Sequence, residues 1–93
     1  MTVIYKYDIT ELLVLGNEIN IPCSAKFLSI QLDTKNDHMC MWYMVEPNNP
    51  SKPLKIRVFG TGHELPYHID DMTYRGTVIN SLGLVWHVFE ERT

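Results

Sequence analysis

The alternation of apolar and polar residues predicts short β-strands along most of the chain. The segment 26–33 shows the pattern well, because Leu28, Ile30 and Leu32 fall on one face and polar residues on the other. Such a segment is typical of an antiparallel strand with one buried face. Seven segments are predicted as strands on this basis, namely 2–9, 18–21, 26–33, 39–46, 54–59, 72–80 and 84–91.

One stretch, DITELLVLG, favours a helix, with Thr10 as its N-cap, although an extended conformation of residues 11–15 fits almost as well. Three prolines between residues 46 and 53 predict a loop there. We therefore predict a single domain over residues 1–93. Its fold is all-β and mainly antiparallel, a small sandwich or partly open barrel of six to seven short strands with at most one short helix.

Two of the predicted strands, 39–46 and 84–91, are apolar on both faces. A small antiparallel domain normally exposes one face of each sheet to water. A strand without a polar face therefore lies centrally between layers, or lines a pocket or a subunit interface. Since closed symmetric assemblies are the common outcome of such contacts, we expect a homo-oligomer, a dimer or a tetramer.

Composition and charge narrow the class of protein. Apolar residues make up 45% and charged residues 20%, which is typical of a folded globular chain. A net charge of −3 disfavours binding to DNA or to an anionic membrane surface. The N-terminal MTVIYKYDIT resembles no secretory leader, and no apolar run is long enough to span a bilayer. We expect a cytoplasmic protein in which Cys23 and Cys40 are reduced and mostly buried.

Motifs of enzyme chemistry are missing from the sequence, which has no GxSxG, HExxH, Walker or GxGxxG pattern. We predict that the protein is not an enzyme and needs no cofactor or metal. His63 and His68 lie five residues apart in an acidic loop, so a metal site is the alternative there, weighed against a solvated loop. His87, alone on an apolar face, is interpreted as a core histidine.

The strand 54–59 and the turn that follows are the best candidate for a binding site. Alternation places Lys55, Arg57 and Phe59 in one row that leads into Gly60-Thr61-Gly62-His63. Arginine can hold a phosphate through two hydrogen bonds, and backbone N–H groups in a glycine turn can bind an anion. Phe59, Trp42 or Trp86 could stack on a base. The alternative is a solvated strand face that ends in an ordinary turn.

Several segments of the chain resemble a family of small bacteriophage-encoded β-rich proteins of unassigned function. They are YKYDI, SAKFLSIQ, MWYMVEP, RVFGTGHELP, GTV and LVWHVFE, and the most specific are the GTGHxLP and VWHVFE patterns. The resemblance spans nearly the whole chain in order. It implies a phage protein that acts in the host cytoplasm, and it implies no particular activity. The implied phage origin and the cationic and aromatic residues of the candidate site are also similar to those of anti-CBASS sponge proteins, which trap cyclic nucleotides.

These observations lead to a functional hypothesis. The protein is expected to be a phage anti-defence protein that sequesters a nucleotide immune signal, such as a cyclic dinucleotide, without hydrolysing it. The alternative is a phage interaction module that inhibits a host protein, and a virion component is a third reading. The predicted ligand-binding residues, of which 5–7 would come from a neighbouring subunit, are Lys55, Arg57, Phe59, Gly60, Thr61, Gly62, His63, Tyr5, Lys6, Tyr7, Trp42 and Trp86.

Overall fold

A computed structural model describes residues 1–13 and 18–91, without the side chains of residues 12 and 13. The described residues contain two single 3₁₀ turns, Thr10–Leu13 and Ile69–Asp71. Their seven strands are β1 (Val3–Asp8), β2 (Glu18–Pro22), β3 (Lys26–Asp33), β4 (His38–Val45), β5 (Ser51–Gly60), β6 (Met72–Ile79) and β7 (Val85–Glu91). The all-β prediction is confirmed, with strand bounds close to those predicted.

Two antiparallel sheets form the sandwich. The three-stranded sheet has the order β1-β4-β3, and the four-stranded sheet has the order β2-β5-β7-β6. The two strands that are apolar on both faces, β4 and β7, lie in the interior of their sheets. Each therefore contributes one face to the core and leaves the other on the outside of the sandwich, where a contact or a cavity can form.

Apolar residues of both sheets meet between the layers. The most deeply buried of them come from β2, β4, β5, β6 and β7 and from Ile9 directly after β1. They are Ile9, Ile21, Met39, Met41, Tyr43, Val45, Ile56, Val78 and Val88. At one edge of the sandwich Ile30 of β3 packs directly onto Gly76 of β6, which closes that side without pairing the strands.

A polar group lies inside this core. The Glu90 carboxylate, 7% exposed, accepts a hydrogen bond from the Tyr43 hydroxyl and one from Arg75 Nη2 at 2.9 Å. The Arg75 guanidinium stacks on Phe27 with its carbon 4.6 Å from the ring centroid. Burial, together with the bond to Glu90, raises the pKa of Tyr43, so its hydroxyl stays a donor. Because Tyr43 and Phe27 belong to one sheet and the two charged residues to the other, the group ties the layers together.

Two local predictions needed correction or extension. The loop 46–53 was predicted too long, because Ser51 and Pro53 belong to β5, where Pro53 pairs with Asn20 of β2. The described pairing of β5 with β7 begins at Lys55. The predicted helix is a 3₁₀ turn whose first N–H, that of Thr10, is accepted by Asp8 Oδ1 at 3.0 Å. The rest of that prediction, at 14 and 15, lies outside the described residues.

The two cysteines are free. Cys40 is buried and Cys23 is half-buried beside the turn between β2 and β3. Burial raises the pKa of the Cys40 thiol, which makes it a poor nucleophile at neutral pH.

Candidate functional site

The outer face of β5 carries the row of residues that alternation predicted. Leu54, Ile56 and Val58 pack into the core, so the intervening residues point away from it. Arg57 lies along the Phe59 ring, with its guanidinium carbon 5.5 Å from the ring centroid. Its Nη1 is also 3.4 Å from Glu91 Oε2 on β7. Both cations of the row are therefore on the outer face, but Arg57 already has a partly buried carboxylate beside it.

The turn after β5 depends on its two glycines. Gly62 has φ +86°, a conformation that residues with a side chain rarely adopt. The His63 ring folds back over Gly60, whose N–H lies 3.3 Å from His63 Nδ1. A Cβ on Gly60 would be 2.7 Å from that ring. The glycines thus let residues 60–63 rise from the sheet and turn back beside it.

A groove of about 520 Å³ opens between this turn and the outer face of the four-stranded sheet. One wall is aromatic, since Phe59 and Tyr74 both pack against Phe89, with ring centroids 5.7 and 5.3 Å apart. The other side is formed by the turn and by Leu65. The lining residues are Phe59, Gly60, Thr61, Gly62, His63, Leu65, Tyr74, Thr77, His87 and Phe89.

A continuous chain of hydrogen bonds crosses the floor of the groove. His87 Nε2 is 2.7 Å from the Thr61 hydroxyl, and His87 Nδ1 is 2.9 Å from the Thr77 hydroxyl. The Thr77 hydroxyl in turn contacts the hydroxyl of Tyr74. We call these four residues the polar chain. It connects the turn after β5 with β7 and β6, and it places hydroxyl groups beside the aromatic wall.

A second, smaller cavity of about 270 Å³ lies on the other side of the turn. Both cavities are lined by Gly60, Thr61 and His63, so the turn lies between them. The second cavity is completed by residues 83–86, which include Trp86. Trp86 is partly buried and packs against the core from the inner face of β7.

The structure brings together only some of the residues predicted for the site. Phe59 and the four turn residues 60–63 line the groove. Lys55 and Arg57 lie on the same sheet face but do not line it, and Trp86 reaches only the second cavity.

The predicted residues on the three-stranded sheet lie elsewhere. Lys6 is 5.8 Å from the Trp42 ring centroid and bonds Asp33 at 2.9 Å. Tyr7 packs edge-on against the core residue Tyr43, and Tyr5 packs against Tyr7 at 6.4 Å. Within one described chain none of these four lines the groove.

Sequence reasoning missed half of the groove. Leu65, Tyr74, Thr77, His87 and Phe89 were not predicted as site residues, and His87 was interpreted as a core histidine. His87 does have both ring nitrogens satisfied, but on the outer face rather than in the core. The sequence did indicate that His87 and Phe89, two residues apart on a strand, lie on the same face. Using it required the knowledge that β7 pairs with β5, where His87 is opposite Phe59.

The two histidines considered for a metal site point to different partners. His63 lies over Gly60, whereas His68 Nε2 is 3.1 Å from Glu91 Oε1. Within the part of the chain that the structure describes, no cluster of three or more potential metal ligands occurs.

In residues 1–13 and 18–91 no helix combines the length and apolar character needed to cross a bilayer.

Comparison with known proteins places the chain in a family. Searches of curated proteins and of solved structures gave no match. A family model, by contrast, matches residues 1–93. On the strength of that full-length match, the chain belongs to the family described as a domain of unknown function, DUF7352.

Proposed function

We propose that this protein binds a nucleotide in the groove on the outer face of the four-stranded sheet and holds it without hydrolysing it. The observation that carries the proposal is the combination of an aromatic wall, Phe59, Phe89 and Tyr74, with the adjoining polar chain. A volume of about 520 Å³ is within the range of about 300–1,000 Å³ that small-molecule sites occupy.

The aromatic wall accounts for binding of the base. Phe59 and Tyr74 meet Phe89 at interplanar angles of 73° and 56°, and all three rings line the groove. Stacking of one base on such a ring contributes about 1–3 kcal/mol. It tolerates any base, because every base has a π-face, so the wall supplies affinity more than it supplies discrimination.

The turn accounts for the phosphate. The N–H groups of Thr61 and Gly62 have no backbone acceptor among the described residues. Two adjacent free N–H groups beside a glycine with positive φ can hold an anionic oxygen. The second cavity begins on the far side of the same turn and contains Trp86. A dinucleotide fits this arrangement, with a phosphate at the turn and one base in each cavity.

The proposed mechanism is sequestration. A binder present at high concentration lowers the free ligand by mass action and requires no catalytic group. The resemblance to small phage proteins supports the setting that we propose, a phage anti-defence protein in the host cytoplasm whose ligand is a nucleotide signal such as a cyclic dinucleotide.

A homo-oligomer, dimer or tetramer, is part of this proposal. Lys6 and Trp42 lie on the outer face of the other sheet, and Tyr5 is 42% exposed. They would contact a ligand in the groove only if a second copy brought them there. The molar mass of the protein with and without ligand, measured by light scattering, tests this part separately, and a monomer in both states would remove it.

The decisive experiment is a thermal-shift screen of the purified protein against cyclic and linear nucleotides, followed by recovery of the bound ligand and mass spectrometry. A ligand at about 100 times its Kd adds about 2.7 kcal/mol, which raises the Tm of a domain of this size by several degrees. Intact ligand after recovery would support sequestration. Degraded ligand would make the protein an enzyme, and no shift across the panel would overturn nucleotide binding.

One observation favours the alternative function, an interaction module that inhibits a host protein. Tyr67 is 98% exposed and lies in the loop beside the groove, next to the exposed Leu65. Exposed tyrosines are common anchors of protein interfaces. A stoichiometric partner that is retained by wild-type protein and lost with Tyr67→Ser, but not with Phe59→Ala, would establish this function instead.

A further inference from the structure

The groove has no permanent positive charge among its lining residues. Its ten lining residues include no lysine or arginine, and Arg57 is engaged by Glu91 on the same face. An anionic ligand in such a site is stabilised by positive charge from outside the lining or by a lining residue that takes up a proton. Of the lining residues, only His63 and His87 can become cationic.

His87 is placed to convert a proton into two hydrogen-bond donors. When its ring is neutral, one nitrogen donates to its threonine and the other accepts from the other threonine. The polar chain then ends in one donor and one acceptor, at Thr61 and Tyr74. Which end carries the donor depends on the tautomer, and either arrangement suits a neutral ligand.

A protonated ring changes both ends at once. Both nitrogens then donate, so the hydroxyls of Thr61 and Thr77 must accept from the ring. The Thr61 hydroxyl hydrogen is free to point into the groove. The Thr77 hydroxyl donates to Tyr74, which frees the Tyr74 hydrogen in turn. The chain therefore presents two donors and one positive charge, which is the pattern that an anionic phosphate oxygen requires.

We infer that His87 takes up a proton when a phosphodiester binds in the groove, so that the polar chain makes the site selective for anionic ligands. The inference rests on the proposed function and specifies its ligand chemistry. Binding is therefore linked to proton uptake, and the affinity is expected to rise as the pH falls.

The other charged and titratable groups near His87 do not account for the expected pH dependence of binding. On β5, Phe59 faces it, and Arg57 beyond is paired with Glu91 of β7. On β6, the titratable neighbour is Tyr74, whose side chain never carries a positive charge. The turn contributes His63, followed by the exposed Glu64. His63 is thus the other residue lining the groove that could carry the proton.

Calorimetric titration with a cyclic dinucleotide tests the inference, because its phosphodiesters do not titrate near neutral pH. Titrations at pH 6, 7 and 8, each in two buffers of different ionisation enthalpy, give the affinity and the number of protons taken up. We expect uptake of up to one proton and an affinity gain of up to tenfold per pH unit.

Matched variants assign the proton. His87→Gln keeps a donor and an acceptor but cannot be protonated, so its affinity is expected to be independent of pH and close to that of the wild type at pH 8. His63→Gln is expected to retain the wild-type pH dependence. Side-chain ¹⁵N spectra of the wild-type histidines report the protonation of His87 directly, in case His87→Gln does not fold.

The outcomes separate the two proposals. Binding that is independent of pH in the wild type, or proton uptake that persists in His87→Gln, would overturn the inference and leave nucleotide binding intact. Loss of the pH dependence in His63→Gln would transfer the role to His63. No binding of the dinucleotide at any pH would overturn both.

Discussion

Both outer faces of this sandwich carry a cation beside an aromatic ring, and the two faces differ in what lies above them. The three-stranded sheet places Lys6 over Trp42, with the cation 5.8 Å from the ring centroid. The four-stranded sheet places Arg57 over Phe59 at 5.5 Å. Each cation also has a carboxylate partner, Asp33 at 2.9 Å for Lys6 and a glutamate at 3.4 Å for Arg57.

Among the residues that the structure describes, the groove lies on the four-stranded face. After β5 the chain turns back beside the four-stranded sheet, and the segment 60–71 overlies its outer face through His63, Leu65 and His68. On the three-stranded sheet, β3 and β4 are joined by the short turn 34–37. A cation beside an aromatic ring is therefore not enough to make a site. A third element must rise above the sheet and enclose a volume.

The largest expected effect is a loss of stability when the polar group that joins the two sheets is removed. Glu90→Ala leaves the Arg75 guanidinium without its carboxylate, and breaking such a pair typically costs about 3 kcal/mol. Denaturant unfolding measures the loss. Glu91→Ala, next in the chain but on the outer face, is the control and is expected to cost clearly less stability than Glu90→Ala. Equal losses in the two variants would contradict the role of Glu90.

The second effect separates the faces by their aromatic residues. Phe59→Ala is expected to reduce nucleotide affinity by about 1–3 kcal/mol, because it removes one stacking surface of the groove. Trp42→Ala removes a ring from the other face that reaches the ligand only from the proposed second copy, so a loss of affinity is expected in a homo-oligomer and none in a monomer. Isothermal titration with the same ligand compares them. A loss in Trp42→Ala would show that the three-stranded sheet contributes to the site from a second copy.

The third effect compares the two cations. Arg57→Ala is expected to weaken binding of an anionic ligand by about 1 kcal/mol, less than a free charged donor would contribute, because Glu91 competes for the side chain. Lys6→Ala is expected to weaken binding only in the proposed homo-oligomer and to have no effect in a monomer. The salt dependence of the affinity, measured for both variants, checks the assignment, and a salt dependence flatter than that of the wild type is expected for Arg57→Ala in either state. A salt slope equal to that of the wild type would place Arg57 outside the site.

The smallest effect concerns the pH dependence of stability on the three-stranded side. Partial burial alone would raise the pKa of Asp8, but hydrogen bonds from Thr10 and His38 outweigh it and hold that pKa below its usual value. Asp8 therefore stabilises the fold above about pH 4 and loses this contribution as the pH falls through its lowered pKa.

A matched variant isolates that contribution. Asp8→Asn is expected to be less stable than the wild type at pH 7, by less than about 1 kcal/mol because the pair is exposed. The difference should disappear at pH 2–3. Thermal unfolding of both proteins across this range checks it, and a difference that persists at pH 2 would show that Asp8 acts through packing.

Much of the fold could be predicted because strand alternation reports burial directly. The residues 26–33 were predicted with the bounds of β3, and Ile30 and Leu32 pack against the core as alternation predicted. The prediction of Leu28 on the same face is wrong, because a β-bulge after Phe27 leaves Leu28 45% exposed while Phe27 packs inward.

For β4 and β7 the sequence left several positions open, and the structure places both in the interior of their sheets. Ser51 and Pro53 were missed as strand residues, since proline disfavours a strand in a sequence pattern and only the structure shows that both residues pair with β2.

For the candidate site, too, some features could be predicted from the sequence and others could not. The amino-acid sequence by itself determined the row Lys55, Arg57 and Phe59 and the glycine turn after it, because alternation and backbone conformation are properties of neighbouring residues. Only the tertiary structure decided that β7 lies beside β5 and β6. That pairing brings Thr61, Thr77 and His87 within hydrogen-bonding distance, although 26 residues separate the first from the last. Such contacts depend on the order of strands in the sheet, which no local pattern encodes.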